Sequence, residues 1–134
     1  IGKKIGLENV ITFKTKLISI KDVNKGDKVG YDGKWKAKKD SKIGILPVGY
    51  ADGYPVTTEN KGYVLIDGKK ANVIGKVSMD LTAVDITNLK DTSYESEIIL
   101  WGKDLPVEKV AKITKNIPYT ILTSLSSRVK RIYL

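Results

Sequence analysis

The sequence contains no cysteine and no histidine. Those two absences remove thiolate and histidine metal sites, and nucleophilic catalysis by Cys/His or Ser/His pairs. They also exclude disulfides, which fits a reducing cytoplasm. No metal centre is expected, and proton chemistry falls to Tyr, Lys, Asp or Glu, or to groups on another segment. Arginine is scarce too. It occurs only at Arg128 and Arg131, so 22 of the 24 basic residues are lysines. Long apolar runs are missing. The longest uncharged apolar-rich stretch, residues 43–51, is far too short to span a bilayer, and residues 1–9 carry lysines where a signal peptide would be apolar.

What is present fits one domain. The chain has 134 residues, 41% of them hydrophobic and 29% charged, enough for a core beneath a solvated surface. The net charge is +9, with the densest basic stretch at Lys34, Lys36, Lys38, Lys39 and Lys42. A basic balance can mark a nucleic-acid partner. Scattered lysine without interleaved arginine points instead to a soluble surface, so neither nucleic acid nor membrane is the expected partner. The chain begins with Ile, not Met, and the expectation is a fragment of something longer, with residues 1–10 as an entering linker.

The hydrophobic pattern is mostly of period two, the mark of half-buried strands. Ile11, Phe13 and Leu17 share one side, and a slip toward Ile18 and Ile20 predicts a bulge or bend. Short strands are predicted at 28–31, 42–49, 63–66, 69–75, 81–86 and 97–101. Pro47 should bend its strand or place it at an edge. Asp67-Gly68 between two apolar runs predicts a tight primed turn, which needs positive φ at both positions. After Trp101 the period changes. Asp104 is a candidate helix cap with Pro106 in the first turn, and Val107, Val110 and Ala111 follow at helical spacing. A second short helix should start near Pro118 with Tyr119, Leu122 and Leu125 on one face, and residues 128–134 should form a last strand. The fold expected is mainly β: a small Greek-key β-barrel-like domain with two short helices near the C-terminus.

Four segments could carry chemistry. Val29-Gly30-Tyr31-Asp32-Gly33 presents a tyrosine beside glycines. Val48-Gly49-Tyr50-Ala51-Asp52-Gly53-Tyr54 combines tight-turn glycines with an acid that can bind backbone N–H groups. Gly75-Lys76-Val77-Ser78-Met79-Asp80 holds the only methionine. Ser126-Ser127-Arg128 and Arg131 place hydroxyls beside guanidiniums, which can meet a phosphate or line a polar edge strand. Singly, each reads as ordinary structure: a rim tyrosine, a turn, a core methionine, a polar edge.

In this order the segments resemble the C-terminal β-domain of alanine racemase. That family has a GYADG loop followed, one hairpin later, by a G-R-x-x-M-D segment. Its tyrosine in a V-x-Y-G-like turn lies upstream at the same spacing as Tyr31 from Tyr50, and its ending is Arg-Val-x-Arg. The resemblance runs from about residue 11 to the end, so residues 11–134 are read as the β-domain of a two-domain enzyme. It implies a missing N-terminal (β/α)₈ barrel that carries the pyridoxal phosphate and its Schiff-base lysine. It also implies a head-to-tail homodimer in which each β-domain completes its partner's site.

The resemblance implies roles as well. Tyr31 is one of two bases that invert alanine at Cα, the barrel lysine being the other. A tyrosine, with an ordinary pKa near ~10, needs a cationic or hydrogen-bonding neighbour for that work, and the family places it in the barrel. The Met79 N–H meets the substrate carboxylate. Tyr50, Asp80 and Lys76 line the passage by which small amino acids enter. Ser127 stands where the family often has a tyrosine that reaches the cofactor phosphate, and Lys76 stands where it usually has arginine. Lysine cannot make arginine's forked contact. The implied activity is cytoplasmic D-alanine supply for peptidoglycan precursors. Two other readings are a basic β-barrel module that binds RNA or the ribosome, and a racemase-like domain without activity. One Phe, two Trp and two Arg offer little for base stacking.

Overall fold

A computed structural model of the chain describes residues 11–30 and 33–134. Among the described residues nine strands form, seven of them in one antiparallel sheet of order β1-β9-β6-β7-β8-β5-β2. They are β1 Phe13–Thr15, β2 Ser19–Val23, β5 Ser41–Leu46, β6 Tyr63–Ile66, β7 Lys69–Ile74, β8 Thr82–Asp85 and β9 Ile98–Trp101. Strands β3 Lys28–Val29 and β4 Trp35–Lys36 make a separate small hairpin. Because β6, β7 and β8 are consecutive and β9 returns beside β6, the expected Greek key is present.

The order forces curvature. Strands β1 and β2 are the two edges of the sheet, yet only residues 16–18 separate them. That link reaches at most about 14 Å, whereas seven flat strands would set the edges roughly 29 Å apart. The sheet therefore curls toward closure. Leu17 is drawn inward at the crossing and is 4% exposed. A Cβ on Gly44 of β5 would stand 2.6 Å from the Leu17 Cδ2, so glycine there makes room for the crossing. The predicted slip at Ile18 is thus a change of edge. The register irregularity itself falls between Phe13 and Lys14.

One apolar cluster fills the curl, including Leu46, Val64, Ile66, Val84, Leu100 and Trp101. Helix α1 Val107–Thr114 adds Val107, Val110 and Ala111, as the helical spacing predicts. Its cap is Pro106, without a side-chain hydrogen bond, and not Asp104. Helix α2 Pro118–Thr123 begins on its proline as predicted, but it buries Ile121, while Tyr119 is 75% exposed. Pro47 lies beyond the end of β5, an internal strand between β8 and β2, so it marks no edge. Residues 128–134 form no strand. Their neighbouring carbonyls at Leu125, Ser126 and Val129 accept from the Arg131 guanidinium, which takes the place of a ladder partner. Among the described residues, no helix is long and apolar enough to cross a membrane. The linker expected at residues 1–10 lies outside the described residues.

The Asp67-Gly68 turn is as predicted, with φ of 49° and 82°. Its acid does a second job. The Asp67 Oδ1 accepts the Glu97 N–H at 3.0 Å, and the Asp67 N–H donates to the Glu97 carbonyl at 2.9 Å, tying the hairpin tip to the approach to β9. Hydrogen bonding by Ser96 first, then by the Glu97 N–H, holds this carboxyl below its ordinary pKa. A depressed folded pKa contributes stability that is complete above the unfolded value and lost as pH falls through the folded one. Wild type should therefore melt above Asp67→Asn at neutral pH, and the two melting curves should converge as the pH drops below the aspartate range. A constant gap at every pH would exclude the charge as the cause.

Candidate functional site

Antiparallel pairing sends the sequence motifs to one end of the sheet. Leu46 at the end of β5 pairs with Thr82 at the start of β8, and β6 opposes both β7 and β9. The segment after β5, the turn between β7 and β8, and the helices after β9 therefore share that end. The β3–β4 hairpin follows β2, whose Val23 pairs with Ser41 at the opposite end. Its turn nonetheless reaches the shared end. Gly30, at φ 94°, lies so close that a Cβ there would be 3.4 Å from the Lys76 backbone nitrogen. Gly75, at φ 67°, faces the Val29 carbonyl in return. Asn60 fixes the same segment by accepting the Gly75 N–H at 2.7 Å.

The Gly49–Gly53 segment folds as a short 3₁₀ turn, Tyr50–Asp52. The Asp52 carboxylate accepts the Gly49 N–H at 2.9 Å, closing the turn on itself. The turn then lies directly on residues 78 and 79. The Tyr50 N–H donates to the Ser78 carbonyl and the Ala51 N–H to the Met79 carbonyl, both at 3.0 Å. Ser78 closes its own tight turn, its hydroxyl bonding the Leu81 carbonyl and accepting the Leu81 N–H. The buried Thr82 hydroxyl donates to the Val48 carbonyl at 2.6 Å and anchors the entry to the 3₁₀ turn.

Glycine at 49 is a steric requirement. A Cβ there would stand 2.2 Å from the Ser78 carbonyl oxygen and 2.4 Å from that of Met79. On the other flank, a Cβ at Gly53 would meet the Ser124 carbonyl oxygen at 2.4 Å. The Ser126 N–H donates to the Asp52 carbonyl at 3.2 Å. Three segments distant in the chain thus pack backbone to backbone.

This arrangement brings most of the sequence-predicted residues together. Tyr50 is 46% exposed and Met79 is 51% exposed, on the two loops that touch. The Met79 N–H has no acceptor among the described residues, although its carbonyl is bonded. Lys76 is half-buried beside Gly30. Asp80 is exposed, and its Oδ1 accepts from Arg128 Nη2 at 2.6 Å. Ser127 is exposed in the turn after α2. Tyr31 lies outside the described residues. Tyr54, the other tyrosine of the motif, is 1% exposed, and burial raises its phenol pKa against a smaller opposing hydrogen bond with Thr58. It remains a neutral core hydroxyl.

Sequence reasoning missed how the arginines are used. Arg128 Nε stands 3.5 Å from Asp52 Oδ1 while Nη2 holds Asp80. The bond to Asp80 first, and the charge of Asp52 second, raise the guanidinium's pKa. Arg131 is committed to carbonyls, so both guanidiniums are engaged within the domain, and the Ser127 hydroxyl beside them is exposed.

The comparisons decide the family. The family described as alanine racemase, C-terminal domain, matches residues 10–133. This chain belongs to that family. It is 42% identical over 132 residues to the alanine racemase of Vibrio vulnificus strain CMCP6, covering 98% of this chain and 37% of that protein. It is 38% identical to that of Hahella chejuensis, covering 99% of this chain and 36% of that protein. The crystal structure of the biosynthetic alanine racemase of Pseudomonas aeruginosa superposes with a TM-score of 0.93 at 36% identity, over 98% of this chain and 37% of that one. The alanine racemase of Bartonella henselae, solved with covalently bound pyridoxal phosphate, gives 0.88 at 35% identity, over 92% of this chain and 34% of that one. The chain thus spans little more than a third of the length of the relatives it matches. The reading as an RNA- or ribosome-binding module finds no support among them.

The contact between the two loops rests on the absence of a side chain at Gly49. Gly49→Ala leaves φ near −151°, a conformation open to alanine, so its whole effect is the clash with two carbonyls. It should destabilise the domain by about 1–3 kcal/mol, read as a lower urea midpoint with an unchanged slope. An unchanged midpoint would mean that the two loops are not in contact.

Proposed function

We propose that this chain is the domain that completes a pyridoxal-phosphate alanine racemase, interconverting L- and D-alanine in the cytoplasm for peptidoglycan precursors. Its partners in this reading are an N-terminal barrel domain and a second subunit of a homodimer, whose active site it closes. The observation that carries the reading is the touching pair of loops, Tyr50–Asp52 against Ser78–Met79, with an exposed tyrosine and a Met79 N–H that has no acceptor among the described residues.

Each residue then has a defined task. The Tyr31 phenolate takes the α-proton from one face of the substrate, and its hydroxyl returns a proton to the same face in the reverse direction. The base on the other face belongs to the barrel. The Met79 N–H donates to the substrate carboxylate, a contact that depends on backbone placement and not on the thioether. Tyr50, Asp80 and Lys76 border the passage and limit it to small side chains. The described residues form an exposed rim, so the cofactor is held mainly elsewhere. The donor set fits at one point, where the Ser127 hydroxyl can donate to the phosphate. Bound pyridoxal phosphate supplies an electron sink for the charge left at Cα.

Two outcomes are expected. The 134-residue chain alone, given pyridoxal phosphate, should not racemise alanine; robust turnover measured by chiral chromatography would overturn the two-domain reading. In the complete enzyme, Tyr31→Phe removes only the hydroxyl and should slow α-deuterium exchange from L-alanine by about 10²–10⁴. Exchange from D-alanine should fall much less, and equal losses from both enantiomers would rule out a base specific to one face.

A further inference from the structure

We infer that Arg128 is a positioning residue whose guanidinium fixes the two motif loops against each other and so places the Met79 N–H and the Tyr50 ring. The inference rests on the proposed role of Met79. Asp52 sits at the end of one loop and Asp80 at the turn of the other, and among the described residues Arg128 is the side chain that pairs with both. It uses two different edges of the fork, Nε at 3.5 Å from Asp52 and Nη2 at 2.6 Å from Asp80. Asp52 is also saturated on its other side, where Oδ2 holds the Gly49 N–H. Shifting Arg128 therefore shifts the 3₁₀ turn as well as Asp80.

The strut is anchored before it reaches either acid. The Ser126 N–H binds the Asp52 carbonyl at 3.2 Å, and the Ser126 hydroxyl accepts the Arg128 N–H at 3.3 Å. The Val129 N–H returns to the Ser126 carbonyl, and Val129 packs against the core. Arg131 then clamps the carbonyls of Leu125, Ser126 and Val129. With its backbone held on both sides, the Arg128 side chain spans a short fixed distance. Lysine cannot replace it, because one ammonium on a flexible stem does not present two edges at once. Asp80, which the family resemblance places in the substrate passage, has its carboxylate turned to this strut.

Arg128 and Asp80 are about half exposed, and exposed ion pairs add little to global stability. The expected signature is local. The test uses the complete enzyme with Arg128→Ala, Arg128→Lys and Asp80→Ala, and reads amide exchange, steady-state kinetics and inhibition by propionate, which is alanine without its amine. Exchange at the Tyr50 and Ala51 amides should quicken about tenfold in all three variants, with melting temperature almost unmoved. KM for alanine and the inhibition constant of propionate should rise together by about tenfold, with kcat changing less. If Arg128→Ala does not fold, Asp80→Ala removes the Asp80 half of the strut at an exposed site. Unchanged exchange at both amides, or full recovery by lysine, would overturn the strut. Wild-type enzyme that fails to interconvert alanine would defeat the proposed function instead, and the exchange data would still decide the role of Arg128.

Discussion

Residues 16–18 carry the chain from one edge of a seven-stranded sheet to the other. A link that short cannot bridge a flat sheet, so the strands must curl around a common core. The crossing is stabilised by what it buries, since Leu17 enters the core where Gly44 leaves room for it. The curl in turn gathers the end of β5, both ends of the β7–β8 turn and the exit from β9 into one compact rim. Every residue of the candidate site described here stands on that rim, so its geometry is inherited from the closure of the sheet.

The rim itself is built from backbone contacts more than from side chains. Gly49 rests on the carbonyls of residues 78 and 79, Gly53 rests on that of Ser124, and Gly30 meets the Gly75–Lys76 backbone. Glycine recurs there because a Cβ would push two chains apart. This arrangement leaves Tyr50 and Met79 exposed on the two touching loops.

Several features were legible because their causes are local. The Asp67-Gly68 turn follows from two positive φ angles, and the strands follow from alternation. The α1 core face follows from its helical spacing. The misreadings also have physical causes. Asp104 has the right chemistry for a cap, but the backbone turns into the helix only at Pro106. Tyr119 has the right spacing for a buried face, yet Ile121 takes the core position. The terminal segment is expected as a last strand, but it finds no strand partner among the described residues, and the carbonyls of Leu125, Ser126 and Val129 are taken by Arg131.

By itself, the sequence determined what short-range rules govern: strand and helix periods, the hairpin turn, the absence of thiol and imidazole chemistry, and the ordered motifs that identify the family. Only the tertiary structure decided which residues meet. The Arg128 contacts with Asp52 and Asp80 join positions 76 and 48 residues apart, and nothing in local propensity encodes such a meeting. It also decided that the β3–β4 hairpin, which leaves from the opposite end, brings Gly30 to Gly75. Loop meetings of this kind are set by strand order and register, and those become fixed only when the whole sheet closes on its core.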